Sequence, residues 1–160
     1  MKRYLTALVC LVLTLCVLTG CAKNPMLGTI SHEDLTLTLP IDFLDLSQES
    51  YAQDADFLYG YDSLIVMGMA EKKSALKEMT LKDYTDLVIS GNKLTCTPVE
   101  DAGSYRFTYE VPVGDTVYTY AAATFEGSSH FWIVQCYCPK GDLPKHEISM
   151  TAILGSIKTQ

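Results

Sequence analysis

Between Ser104 and Val111 the chain alternates with a period of two, a pattern no helix can satisfy, and two further strand-like segments follow it to Cys138. Tyr105, Phe107, Tyr109 and Val111 alternate with Ser104, Arg106, Thr108 and Glu110, as in a half-buried strand. Gly114-Asp115 turns the chain into residues 116–125, and residues 126–129 turn it again into residues 130–138. This last segment is apolar on both faces, with Trp132 and Val134 opposite Phe131 and Ile133. Such a strand belongs inside a sheet that is covered on both sides.

The rest of the chain supplies the cover. Leu35, Leu37 and Leu39 alternate with Thr36 and Thr38 in a strand that stops at Pro40. Residues 57–61 and 64–70 read as a hairpin around Asp62-Ser63, and residues 71–79 as a polar excursion. Thr80 opens a helix with Asp83 in capping-box position; Leu81, Tyr84, Leu87 and Val88 form its buried stripe and Gly91 ends it. Residues 93–99 read as a strand carrying Cys96. Residues 142–158 read as a closing helix with Met150, Ile153, Leu154 and Ile157 on one face. The fold class is α+β, a mainly antiparallel sheet with helices packed on it.

Residues 1–20 have the form of a lipoprotein signal peptide. Lys2 and Arg3 precede about fifteen mostly apolar residues, short for a bilayer-spanning helix. Leu18-Thr19-Gly20-Cys21 then forms a lipobox, which makes Cys21 the expected lipid attachment site and first mature residue. Two acyl chains there would hold the protein stably on a membrane, facing the extracytoplasmic side. Residues 21–29 read as the lipidated cysteine and a short tether, and residues 30–160 as a single domain.

The formal charge of −7 becomes more negative once Lys2 and Arg3 leave with the signal, which opposes nucleic-acid binding. The remaining thiols are Cys96, Cys136 and Cys138. Their odd number argues against a disulfide framework, so buried free thiols are expected. A Cys96 disulfide and a thiol–metal site completed by His130 are the alternatives. His32, His130 and His146 accompany no nucleophile motif, and Ser128 and Ser129 fit a turn. No residue pattern points to a catalytic, cofactor or metal site. Residues 41–55 form the longest segment without an assigned element. There Asp42, Asp45, Glu49 and Asp54 could steer a basic partner, and Tyr51 could supply contact area. The opposing expectation is that Phe43, Leu44 and Leu46 cap the core and leave the acids solvated.

The order of elements and four strings resemble the PsbP-like family, named after an extrinsic subunit of photosystem II. The strings are Leu35-Thr-Leu-Thr-Leu-Pro40, Thr80-Leu-Lys-Asp-Tyr84, the Tyr105 to Trp132 meander and Leu154-Gly-Ser-Ile157. The resemblance implies an α/β/α sandwich and, by analogy with members that act as binding or assembly factors, a non-catalytic binding module. The alternative is a small surface enzyme of hydrolase type. The expected partners are the membrane, through Cys21, and a protein not identified by the sequence.

Overall fold

The computed structural model describes residues 27–49, 52 and 54–160. The predicted signal peptide, Cys21 and Tyr51 lie outside the described residues. Strands β1 (Leu27–His32) and β2 (Leu35–Pro40) form a hairpin, and the short β10 (Lys158–Thr159) pairs with the other edge of β2. The larger sheet has seven antiparallel strands in the order β3-β4-β5-β9-β8-β7-β6. Their ranges are Leu44–Asp45 (β3), Phe57–Tyr61 (β4), Leu64–Lys72 (β5), Val99–Asp101 (β6), Ser104–Val113 (β7), Thr116–Glu126 (β8) and His130–Pro139 (β9). β9 lies at the centre, and Phe131, Trp132, Ile133 and Val134 are all buried, as its two-sided apolar pattern requires.

Each face of this sheet receives its own layer. On one side, Trp132, Val134, Cys136 and Cys138 of β9 meet Leu35, Leu37 and Leu39 of β2. Met150, Ile153 and Leu154 complete that core from helix α2 (Leu143–Gly155). On the other side, helix α1 (Leu81–Gly91) crosses Phe107, Ala122 and Ile133 with Val88 and Ile89. The predicted capping box is present: Thr80 Oγ1 accepts from the Asp83 amide at 3.2 Å, and the Thr80 amide donates to Asp83 Oδ2 at 3.1 Å.

Several elements differ from the sequence reading. β1 begins at Leu27, inside the stretch read as tether, because residues 27–32 find backbone partners along β2. Residues 93–98 alternate in exposure but form no strand. Lys93 turns the chain with φ 55°, and Leu94 and Cys96 pack onto the second core, so half-burial arises without a ladder until Val99 meets Arg106. On α1, Leu87 is 45% exposed, and the buried positions are Tyr84 and Thr85. Tyr84 stacks on Phe131 at 5.1 Å and the Thr85 hydroxyl meets that of Thr124 at 2.6 Å, which turns Leu87 outward. α2 stops at Gly155, and the end of the region read as helix becomes β10. Residues 41–55 hold the two-residue β3, paired with β4.

Candidate functional site

α1 is too short for the face it covers. Its eleven residues span about 16 Å, whereas the eleven residues of β8 span about 36 Å. α1 packs over Phe107, Ala122 and Ile133, with Leu94 and Cys96 beside it, and the sheet face beyond, at Tyr118, Tyr120 and Tyr137, is only part-buried. Register decides what lies on it: Tyr109 pairs with Tyr120 and Tyr120 with Tyr137, while Met67 pairs with Gln135 and Gln135 with Ala122. One row across three strands is thus tyrosine. The rings of Tyr109 and Tyr120 stack at 4.7 Å and 9°, and those of Tyr120 and Tyr137 at 4.7 Å and 21°.

The stacked rings floor a cleft of about 520 Å³, bounded by Met67, Met69 and Val111 on the sheet and by Tyr84, Val88 and Asn92 at the helix. A second depression of about 410 Å³ shares Tyr120 and continues over Ile65, Tyr118 and Tyr137. At the bottom, Gln135 is only 7% exposed, and the Tyr109 hydroxyl donates to its Oε1 at 2.8 Å. Among the described residues no group is hydrogen-bonded to Gln135 Nε2, which reaches solvent, so its amide N–H groups can be met by water or by a ligand in the cleft. Burial, reinforced by Tyr120, Cys96 and Tyr137, pushes the Tyr109 hydroxyl well above its ordinary range; burial and Tyr118 raise Tyr120. Both remain neutral in water near pH 7. Flat aromatic walls, flexible thioethers and one buried amide suit an elongated, mostly apolar ligand segment carrying a carbonyl.

The Ser, His and Asp side chains that meet one another are engaged in other roles. Ser129, His130 and Asp34 come together, but Ser129 Oγ (2.9 Å) and Asp34 Oδ1 (3.5 Å) both meet the same ring nitrogen, Nδ1 of His130. A nucleophile relay needs them on opposite nitrogens. Ser63, His146 and Asp62 repeat the arrangement at Nε2 of His146. Asp34 instead accepts from the Trp132 indole at 2.7 Å, the Ser129 amide at 2.7 Å, the Ser129 hydroxyl at 3.0 Å and the His130 amide at 3.1 Å. Burial alone would raise its pKa; those four donors hold its carboxyl far below the usual range. This is a clamp joining the β1–β2 turn to the β8–β9 turn.

The three described thiols are free. Cys136 and Cys138 sit in the first core and Cys96 at the edge of the second, across the sheet, which rules out the Cys96 disulfide. Burial raises all three, so none is an activated nucleophile. No group of three or more metal-ligating side chains occurs among the described residues.

Of the predicted docking segment, Asp42, Asp45, Glu49 and Asp54 are all exposed. Asp45 accepts from the Ser47 amide at 2.9 Å, which with the Ser47 side chain lowers its pKa. Phe43 packs on the first core, and a Cβ on Gly60 would meet Leu46 at 2.6 Å and Ile65 at 2.9 Å, so Leu46 leans over β4 beside the second depression. Leu44 is exposed, and so does not cap the core. The segment therefore borders the tyrosine face without lining the main cleft. Sequence reasoning missed that cleft. Its signal was the surplus of tyrosines on alternate positions, which only the register gathers onto one face.

No family model matches the chain, and no curated protein matches it significantly in sequence. Solved structures do match. The cyanobacterial PsbP of Synechocystis superposes with a TM-score of 0.61 at 13% identity, over 88% of this chain and 96% of that one. LpqN of Mycobacterium tuberculosis, described as involved in cell envelope biogenesis, gives 0.57 at 11% identity, over 84% and 91%. A protein of Bacteroides thetaiotaomicron gives 0.54 at 13% identity, over 79% of this chain and 45% of that one. The chain has the PsbP-like fold, as its sequence strings implied.

Proposed function

We propose that the protein is a non-catalytic binding module, lipid-anchored through Cys21 on the extracytoplasmic side of a membrane, whose ligand or partner segment seats in the cleft between α1 and the tyrosine row. The observation that carries this reading is the tyrosine row: Tyr109, Tyr120 and Tyr137 stack on one another at the sheet surface, only part-buried, beside a cleft whose other wall is α1 and whose floor holds Gln135. Leaving so much aromatic and methionine surface partly open has no stabilising purpose, because a longer helix would bury it at about 25 cal/mol per Å². The envelope role stated for LpqN agrees with this reading, as does the lipobox. The acidic segment with Asp42, Asp45, Glu49 and Asp54, joined by Tyr51, would steer a basic partner toward the neighbouring face.

The test is a photo-crosslinking amino acid placed at Tyr120 in the full chain, in intact cells, with the same group at Leu87 on the outer side of α1 as control. A discrete adduct formed at Tyr120 and absent at Leu87 supports the cleft and gives the mass of its occupant. Identical adducts, or none, at both positions overturn it. Intact mass of the same membrane-extracted protein checks the anchor: residues 1–20 should be lost and acyl mass gained at Cys21.

A further inference from the structure

The layer formed by α2 and the small sheet carries an apolar patch on its outer surface, on the opposite side of the large sheet from the tyrosine row. Ile148, on the outward side of α2, is 84% exposed, Leu27 at the start of β1 is 63% exposed, and Ile41 just after β2 is 55% exposed. Leu27 and Ile148 are neighbours: they line one groove of about 350 Å³ between the sheet and the helix, and Ile41 follows Pro40, the strand partner of Leu27, at the rim of the hairpin. Isolated exposed apolar residues need no explanation, but two large ones lining one groove, with a third at the adjoining rim, do.

We infer that this patch rests on the lipid bilayer and fixes the orientation of the domain there; the inference rests on the proposed anchoring at Cys21. The leash decides the occupant. Leu27 stands six residues beyond Cys21, a separation of at most about 21 Å whatever the conformation between them. A lipid chain held in the membrane by Cys21 therefore keeps Leu27, and the groove beside it, within reach of the headgroup region. The protein's negative charge offers no attraction to anionic lipid, so the contact is apolar and largely insensitive to salt.

The test uses the full lipidated chain, with Cys96→Ser to leave no partly accessible thiol beside the buried Cys136 and Cys138. An environment-sensitive fluorophore is attached through Ile148→Cys, or through Leu87→Cys on the opposite layer, and the protein is reconstituted in phosphatidylcholine vesicles brominated on their acyl chains. Both positions are exposed, so neither label disturbs a core. The 148 label should be quenched several-fold more than the 87 label, at low and high salt alike. Adding Leu27→Asp and Ile41→Asp should abolish the difference while the acyl mass is retained. Equal quenching at both positions in acylated protein overturns the patch and leaves the anchor standing. Self-quenching between 148 labels, with none by bromine, assigns the patch to a second copy and also overturns the inference. Absence of acyl mass at Cys21 overturns both readings.

Discussion

The Asp34 clamp can be removed by one isosteric change, Asp34→Asn. The carboxylate is 6% exposed and accepts from four donors within 3.1 Å, two of which, the Trp132 indole and the His130 amide, belong to the central strand. A hydrogen bond to a charged group contributes about 1.5–3 kcal/mol net, and each buried donor left without an acceptor costs about 1–3 kcal/mol. Those gains are reduced by the cost of burying the charge, which is several kcal/mol. Asn keeps one acceptor oxygen but turns an amino group toward N–H donors, so a loss of about 2–3 kcal/mol is expected, and Asp34→Ala should lose about 3–5 kcal/mol. Gly127 adds to the constraint: a Cβ there would stand 2.4 Å from Asp34 Oδ2.

The same change should alter acid sensitivity. The folded carboxyl is held far below its ordinary value of 3.8. A depressed folded pKa gives stability that is complete above the unfolded value and is lost as pH falls through the folded one. The wild-type advantage over Asp34→Asn should therefore be constant at neutral pH and shrink on acidification below about pH 4. Urea unfolding followed by the fluorescence of Trp132, the only tryptophan and itself bonded to Asp34, measures both effects. Asp62, Asp83 and Asp45 also titrate low, but they are unchanged in the variant and cancel in the difference. A loss below about 1 kcal/mol at neutral pH, or parallel acid slopes in the two proteins, would refute the clamp.

Gly68→Ala places a Cβ 2.1 Å from the Phe57 ring, so urea midpoints should show a loss of about 2–4 kcal/mol, partly restored by Phe57→Leu. Of the three thiols outside the lipobox region, only Cys96 should react with maleimide in the native state, and reductant should leave the melting temperature unchanged; a reductant-sensitive melt would contradict the free-thiol assignment. Neutralising the acidic segment with Asp45→Asn, Glu49→Gln and Asp54→Asn should slow association with the partner trapped at Tyr120 and flatten its salt dependence, with little change in melting temperature. Unchanged association rates would exclude that segment as an electrostatic docking site.

The sheet was legible in the sequence wherever strands alternate next to one another in the chain. The β4–β5 hairpin, the β7–β8–β9 meander and the buried centre at Trp132 all follow from period-two patterns and short turns. The Thr80 cap was legible because capping is a local interaction between residues three apart. Non-local partners were not. Nothing local in residues 27–29 shows that β2 offers them an edge, and nothing in residues 93–98 shows that their alternation lacks one. The rotation of α1 was misread at Leu87 because two distant partners, Phe131 and Thr124, set it. The cleft was hidden for a related reason. Tyr109, Tyr120 and Tyr137 form one row only through registers fixed between strands, and whether a helix covers them depends on where α1 ends.

The two faces of the large sheet are therefore closed in different ways. Deleting a side chain around Trp132 on the face under α2 and the small sheet removes core packing, because β2 and α2 close that part of the face; towards Arg106 and Thr108 the same face opens into a depression of about 520 Å³ beside Thr151 and Leu154. The opposite face is closed where α1 and the segment carrying Leu94 and Cys96 reach, and beyond them Tyr109, Tyr120 and Tyr137 stack on one another. Stacked rings tolerate such exposure because each still buries one side against its neighbour, and each pair contributes about 0.5–1.5 kcal/mol beyond area burial. With the Leu27–Ile148 patch on the bilayer, the cleft opens on the far side of the molecule, away from the membrane. An occupant of the cleft then arrives from the aqueous compartment, past the acidic segment that flanks β4. A ligand drawn out of the bilayer would instead have to travel around a layer of helix and sheet to reach Gln135. On the proposed anchoring at Cys21, cleft occupancy should accordingly depend on soluble partner concentration and be indifferent to the lipid composition of the membrane.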